Sequence, residues 1–125
     1  MKTANVAEAV KSEHAVALLK QMYGENRVEE NAARYQLVAD GFAKEFGDKA
    51  FEFFSAPGRT EIGGNHTDHN HGKVLAGSVH LDCVAAAAPN GTHTVNLISE
   101  TYNQHLVIDL DDLAPTEKTR EPNRC

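Results

Sequence analysis

The chain has 125 residues, of which 41% are hydrophobic and 24% charged, and its net charge is -6. This length corresponds to one domain or part of one, and it is enough to bury a hydrophobic core. Since nucleic-acid binders usually present a basic face and no Lys/Arg cluster occurs here, the composition argues against a nucleic-acid partner.

Cysteine usage and the absence of apolar runs indicate the compartment. Cys83 and Cys125 are the two cysteines, and they lack the close spacing of a disulfide framework or a zinc site. A reduced, cytoplasmic protein is therefore expected. The first residues carry charges and no apolar core of a signal peptide, and no run approaches the ~18 apolar residues of a membrane span. We expect no membrane partner.

Two amphipathic helices are predicted in the first part of the chain. Residues 4–23 form one pattern, with a gap at Ser12 and Glu13, and Gly24 provides a stop. A second helical pattern covers 28–46, and Gly47 can end it.

Alternating patterns after Gly47 predict strands. The first covers 50–57 and ends at Pro57-Gly58, and the next covers 79–88, with Val79, Leu81 and Cys83 on one face. Pro89-Asn90-Gly91 predicts a hairpin, followed by strands at 94–99 and 106–110 with a turn at Tyr102-Asn103. The predicted fold class is α+β: two N-terminal helices followed by a mixed or antiparallel sheet. The predicted organisation is a helical segment at 1–49, a strand-rich segment at 50–112 and a polar, disordered tail at 113–125.

The segment from Ala56 to Leu75 carries the chemistry. Its glycines allow close approach of the backbone to a ligand, and it offers an arginine, carboxylates and histidines within one loop. Carboxylates accept hydrogen bonds from hydroxyl groups, and an arginine can stabilise developing negative charge. The segment therefore suits a polyhydroxylated ligand.

Two alternatives remain open for this segment. His66, Asp68, His69 and His71 place four potential metal ligands within six residues, as in part of the HxHxDH motif of metallo-β-lactamase-like hydrolases. That match is incomplete, because Gly64 stands where the motif has its first histidine. The other alternative is a polar surface loop that binds nothing.

The same segment resembles the galactokinase signature, A-P-G-R-V-N-[LI]-I-G-E-H-T-D-Y-N-x-G-x-V-L. The positions that match in register are Ala56-Pro57-Gly58-Arg59, Gly64, His66-Thr67-Asp68, Asn70, Gly72 and Val74-Leu75. A coarser resemblance covers about Phe51 to Leu110, and it implies that 50–112 is a partial galactokinase-like sugar-binding domain. It also implies that this chain has the fold of the first part of the N-terminal domain of the GHMP small-molecule kinases. The galactokinases of that group transfer the γ-phosphoryl group of ATP to the anomeric hydroxyl of galactose.

The resemblance implies roles for individual residues. Arg59 is the expected catalytic residue, near the anomeric hydroxyl and the transferred phosphoryl group. Asn65, His66 and Asp68 are the expected substrate-binding residues, and no metal ligand is expected. Asn65 departs from the family pattern, which has glutamate there, and Glu61 stands where asparagine is usual.

Two further departures affect the site: Gly63 replaces an apolar residue, and His69 replaces a tyrosine. Asn65 and Glu61 together amount to a carboxylate that has moved from position 65 to position 61. The moved carboxylate leaves two interpretations open, either a variant with the same sugar or a changed sugar preference.

The cofactors implied by the resemblance are ATP and magnesium, which belong to the parent enzyme. The family holds the phosphates with a P-x-G-x-G-L-S-S-S loop at a helix N-terminus, and this chain has no such loop. We therefore expect no cofactor bound to this chain and no kinase activity from it alone. A non-catalytic sugar-binding module and a self-associating module are the alternatives.

The resemblance also implies a partner. The family packs its sheet against later helices, so one face of the sheet is expected to be bare here. An exposed apolar face favours a homodimer or strand exchange.

Overall fold

A computed structural model describes residues 5–64 and 71–113 of the chain. Helices come first, followed by two antiparallel strand pairs, which confirms the predicted α+β class. The elements are α1 (Val6–Ala9), α2 (Glu13–Tyr23), α3 (Val28–Phe46), β1 (Glu52–Gly63), β2 (Leu75–Ala87), β3 (Thr94–Ser99) and β4 (Gln104–Asp109), with a 3-10 turn at Glu25–Arg27.

Contacts divide the chain into two compact units, one ending at Pro89 and the other beginning at Asn90. The first unit contains the three helices and the β1–β2 pair, and the second contains the β3–β4 pair. The boundaries at 1–49 and 50–112 stay predictions. Of the predicted tail, residues 114–125 lie outside the described residues.

The single helix predicted over 4–23 is wrong, because the chain forms two helices there. Ser12 has an extended backbone (φ -63°, ψ 150°), and its hydroxyl accepts a hydrogen bond from the Ala15 amide at 3.3 Å. A serine side chain that satisfies a free amide in this way starts a new helix. The break falls at the gap that the sequence pattern shows.

The helix over 28–46 is confirmed, as are both glycine stops. Gly24 and Gly47 adopt φ values of 87° and 77°, and their amides donate to Lys20 and Ala43 in the preceding helices. Glycine takes such left-handed conformations at little cost, so each helix ends where the sequence places a glycine.

An aromatic core joins α3 to the first strand pair. Phe51, at 2% exposure, lies just before β1, and its ring centroid is 4.8 Å from that of Phe42 and 5.2 Å from that of Phe53. Val6 of α1 and Ala39 of α3 are fully buried in the same cluster. These contacts hold the helices on one face of the β1–β2 pair.

Strand β1 is longer than predicted and continues through Pro57 to Gly63. It pairs with β2 in antiparallel register from Glu52 opposite Ala87 to Gly63 opposite Leu75. Proline lacks the amide hydrogen of a ladder bond, and strands tolerate it at edges and bulges. Pro57 meets both conditions, since β1 has β2 as its only strand neighbour in the described residues and the register shifts directly after it.

The face of the β1–β2 pair that points away from the helices is exposed and largely apolar. Phe54 is 55% exposed and Leu81 is 69% exposed. Their exposed neighbours are small: Ala56, Cys83, Ala85 and Ala87. Leu81 and Cys83, which the sequence pattern groups on one face, therefore lie on the face without helices.

The second unit is an antiparallel hairpin of β3 and β4, from Thr94 opposite Asp109 to Ser99 opposite Gln104. Its turn contains Asn103 at φ 47°, which confirms the predicted turn. The hairpin predicted at Pro89-Asn90-Gly91 is wrong: within the described residues β2 pairs with β1, and β3 pairs with β4.

Within residues 5–64 and 71–113, none of the helices combines the length and the apolar character that a bilayer span requires.

Candidate functional site

Arg59 lies on β1 with an exposed guanidinium. Its Nη2 donates to Oε1 of Glu61 at 3.2 Å, and the side chains are 67% and 29% exposed respectively. Residues two apart on a strand share one face, so the pair lies along one side of the strand that leads into the signature loop. Glu61, which stands where the family pattern has asparagine, is thus in contact with the predicted catalytic residue.

Gly58 allows β1 to change register just before Arg59. Pro57 lies opposite Asp82, whereas Arg59 lies opposite Ser78, so β2 advances by four residues while β1 advances by two, and the pairing is irregular beside Gly58. A Cβ at Gly58 would lie 3.3 Å from both the Leu81 carbonyl oxygen and a Val79 methyl group. The matched glycine therefore has a steric role, which is to let the two strands approach at the irregularity.

A closed neck, formed by Gly64 against Lys73 and Val74, marks the base of the signature loop. Gly64 has φ +76°, and a Cβ there would lie 2.7 Å from the Lys73 carbonyl oxygen and 3.1 Å from a Val74 methyl group. An L-residue at this position would meet both a disfavoured backbone conformation and backbone overlap. The two ends of the loop are thus held together by the fold.

The predicted substrate-binding residues Asn65, His66 and Asp68 lie outside the described residues, as does His69 of the metal alternative. His71 is described, with φ 54°. Of the predicted site residues, the structure places Arg59 only, and the roles of all four stay predictions. In the described part of the chain, no group of three or more His, Cys, Asp or Glu residues is arranged to hold a metal ion.

The sequence patterns missed a polar cluster around Asp82, whose side chain is 5% exposed. Its carboxylate accepts hydrogen bonds from the hydroxyl of Tyr23 at 2.6 Å and from the hydroxyl of Ser55. Arg34 donates to the carboxylate and to the Asp82 carbonyl oxygen. Tyr35 adds a hydroxyl contact of 3.1 Å to Tyr23. One carboxylate thus connects α2, α3, β1 and β2.

The charges of the cluster follow from these contacts. Burial raises the pKa of Asp82, but the hydrogen bonds from Ser55, Tyr23 and Arg34 outweigh burial, and the net pKa lies below its usual value. Burial raises the pKa of Tyr23, and its donation to Asp82 raises it further. Asp82 is therefore a charged acceptor and Tyr23 a neutral donor at neutral pH.

The cluster lies next to the start of the signature. Asp82 is the register partner of Pro57, and Ser55 precedes the matched Ala56-Pro57 by one residue. The sequence does contain a signal for this cluster. Asp82 interrupts an apolar strand pattern two residues before Val84, so both side chains lie on the helix-covered face. A carboxylate on a covered face needs donors, and Arg34 lies on the neighbouring helix.

Comparison with known proteins identifies the region. The galactokinase galactose-binding signature matches residues 40–89, which include Arg59 and the loop that follows it. The galactokinase of Lactococcus lactis subsp. cremoris (strain MG1363) is 37% identical over 89 residues, covering 69% of this chain and 22% of that protein. The galactokinase of Lacticaseibacillus casei (strain BL23) is 36% identical over 73 residues, covering 58% and 19% respectively.

The chain spans about a fifth of the length of these relatives. No solved structure matches it. The α+β unit with its exposed arginine and closed neck thus contains the matched signature region, residues 40–89. The predicted family resemblance is confirmed: this chain carries the galactose-binding signature region of the galactokinases.

The neck generates the first prediction. Gly64→Ala should lower the free energy of unfolding by about 1–3 kcal/mol, because it combines a left-handed backbone with overlap at the Lys73 carbonyl. Gly63→Ala is the matched control: a Cβ there meets nothing within 4 Å. Urea unfolding of both variants measures the difference, and equal stabilities would contradict the steric role of Gly64.

The Asp82 cluster generates a prediction about pH. Because the pKa of Asp82 is lower in the folded state, its carboxylate stabilises the fold at pH values above the unfolded pKa of about 3.9. This contribution is lost as the pH falls through the folded pKa. Asp82→Asn should lower the free energy of unfolding by about 1–3 kcal/mol at pH 7. Between about pH 5 and pH 3 the variant should lose less stability than the wild type does.

The control for this variant is Asp40→Asn, an exposed carboxylate on α3 that accepts from Gln36. Urea unfolding across the pH series should give the control the wild-type acid slope. A wild-type slope in Asp82→Asn as well would show that Asp82 does not carry this contribution.

Proposed function

We propose that this chain is the N-terminal part of a galactokinase and holds one portion of its sugar site. The observation that carries the proposal is the match over residues 40–89, within which β1 presents an exposed Arg59 and leads to the closed neck at Gly64. The parent enzyme would be a GHMP-type kinase that transfers the γ-phosphoryl group of ATP to the anomeric oxygen of galactose. We further propose a cytoplasmic location, which the exposed free thiol of Cys83 supports.

Each proposed site residue has a chemical task. Arg59 would donate to the anomeric oxygen or the phosphoryl oxygens and balance the charge that develops on them. His66 and Asp68 would hydrogen-bond sugar hydroxyls, with the Asp68 carboxylate as acceptor. The Asn65 amide can both accept and donate, although it carries no charge. Together these groups would orient a sugar.

The described residues do not fit ATP. Phosphates bind well at helix N-termini that carry no negative charge, but the first turns of the three described helices all contain glutamate: Glu8 in α1, Glu13 in α2, and Glu29 and Glu30 in α3. These carboxylates would repel a triphosphate. We therefore propose that ATP and magnesium belong to parts of the parent enzyme outside this chain, and that residues 1–125 alone do not catalyse phosphoryl transfer.

Sugar binding without catalysis is the testable outcome. Titration of galactose to high-millimolar concentration should shift the backbone amides between Arg59 and Asp68, and Arg59→Ala should weaken the shifts. A coupled assay for ADP release should give no galactose-dependent rate. Absence of any shift would exclude sugar binding by this chain, and galactose-dependent ADP release would show that it is a kinase by itself.

A second proposal concerns self-association. The face with Phe54 and Leu81 is apolar and exposed, and its alanines allow another sheet to approach closely. In the described residues β1 and β2 have no strand neighbour other than each other, so a strand from another copy can also pair with a free edge of β1 or β2. We propose a second copy of the chain as the occupant, in a homodimer or with strand exchange.

The self-association proposal predicts a concentration-dependent dimer. Light scattering should show a dimer for the wild type, and Phe54→Ser or Leu81→Ser should shift it toward the monomer because each removes exposed apolar area from the face. Leu37→Ser is the matched control, since Leu37 is 62% exposed but lies on α3. A monomeric wild type at high concentration would rule the dimer out.

A further inference from the structure

The contact between Arg59 and Glu61 has a consequence for ligand charge. The guanidinium is positively charged, and its Nη2 donates to the Glu61 carboxylate at 3.2 Å. Both side chains reach solvent, with 67% and 29% exposure. A ligand that approaches Arg59 on this side of β1 therefore meets a pair of opposite charges rather than an isolated cation.

An opposite-charge pair treats neutral and anionic ligands differently. Two unit charges 4 Å apart interact by about 1 kcal/mol in water, so a carboxylate beside the arginine offsets much of the attraction that an anion would experience. A polyol is affected in the opposite direction. Its hydroxyls both donate and accept, so it can donate to a Glu61 oxygen while it accepts from Arg59.

The position of the pair is fixed by the strand rather than by the loop. Arg59 and Glu61 lie opposite Ser78 and Ala76 of β2, whose side chains are uncharged and short. Neither of these two neighbours offers a competing charge to the guanidinium or to the carboxylate. Within the described residues, the Glu61 carboxylate is thus the contact that balances the charge of Arg59.

We infer that Glu61 is a selectivity residue: paired with Arg59, it makes this side of β1 favour a neutral polyhydroxylated ligand over an anionic one. The inference deepens the proposed sugar site and rests on it for the identity of the neutral ligand. Its electrostatic half, the weakening of anion binding at Arg59, stands on the contact itself. A sugar phosphate would be disfavoured relative to the free sugar by the same charge.

The test compares two probes on the same chain. D-galactose and inorganic phosphate are titrated separately, at constant ionic strength, against wild type, Glu61→Gln and the control Glu52→Gln, an exposed glutamate at the other end of β1. Chemical shifts of the Arg59 Nε–H group and of the β1 amides report binding. Glu61→Gln should bind phosphate about two- to fivefold more tightly and galactose at least about twofold more weakly than wild type. Glu52→Gln should match wild type for both probes.

Two further variants separate charge from structure. Glu61→Asp keeps the carboxylate and should retain the wild-type preference, and the double variant Arg59→Gln/Glu61→Gln should lose the gain in phosphate affinity. Dispersion of the amide spectrum checks that each variant is folded. If Glu61→Gln does not fold, the ligand preference of Glu61→Asp tests the role of Glu61 instead.

The outcomes distinguish the inference from the proposed function. Equal phosphate affinity in wild type and Glu61→Gln, or a Glu61→Asp variant that loses the preference, would overturn the role of Glu61. Absence of galactose shifts in the wild type would instead exclude the sugar site, while the phosphate titrations still decide whether Glu61 weakens anion binding at Arg59.

Discussion

The Asp82 carboxylate is the constraint on which the arrangement of the first unit depends. Its side chain is 5% exposed, and its donors lie on α2, α3 and β1. A buried carboxylate without donors costs several kcal/mol, so the fold is favoured in which the helices and β1 bring their donors to it. Because Asp82 is also the register partner of Pro57, the contact that fixes the helices on the strand pair fixes the start of the signature strand as well.

Sequence patterns predicted the features that depend on local periodicity and on glycine. The helix at 28–46, its stop at Gly47 and the turn at Asn103 follow from apolar spacing and from residues that tolerate positive φ. The break at Ser12 was visible as a gap, but periodicity cannot show that a hydroxyl accepts from the Ala15 amide. Local patterns record the propensity of a segment, and the choice between one helix and two depends on a cap.

The missed features depend on residues that are distant in sequence. Pro57 normally argues against a strand, yet β1 continues through it because the register shifts at the following residue. The Asp82 cluster joins residues up to 59 positions apart, which no single-segment pattern detects. At the candidate site the sequence identified Arg59 through its family resemblance. Its contact with Glu61 depends on strand geometry, which makes residues two apart neighbours on one face.

The closed neck at Gly64 changes the thermodynamics of the segment that follows it. Joining the ends of a chain segment costs entropy that grows slowly with the length of the segment. Here the ends are already joined, since Gly63 pairs with Leu75 and Gly64 approaches the Lys73 carbonyl. That entropy is lost when the strands fold, so it does not oppose binding. Residues inserted between positions 65 and 70 would therefore lengthen the segment with little effect on the stability of the strand pair.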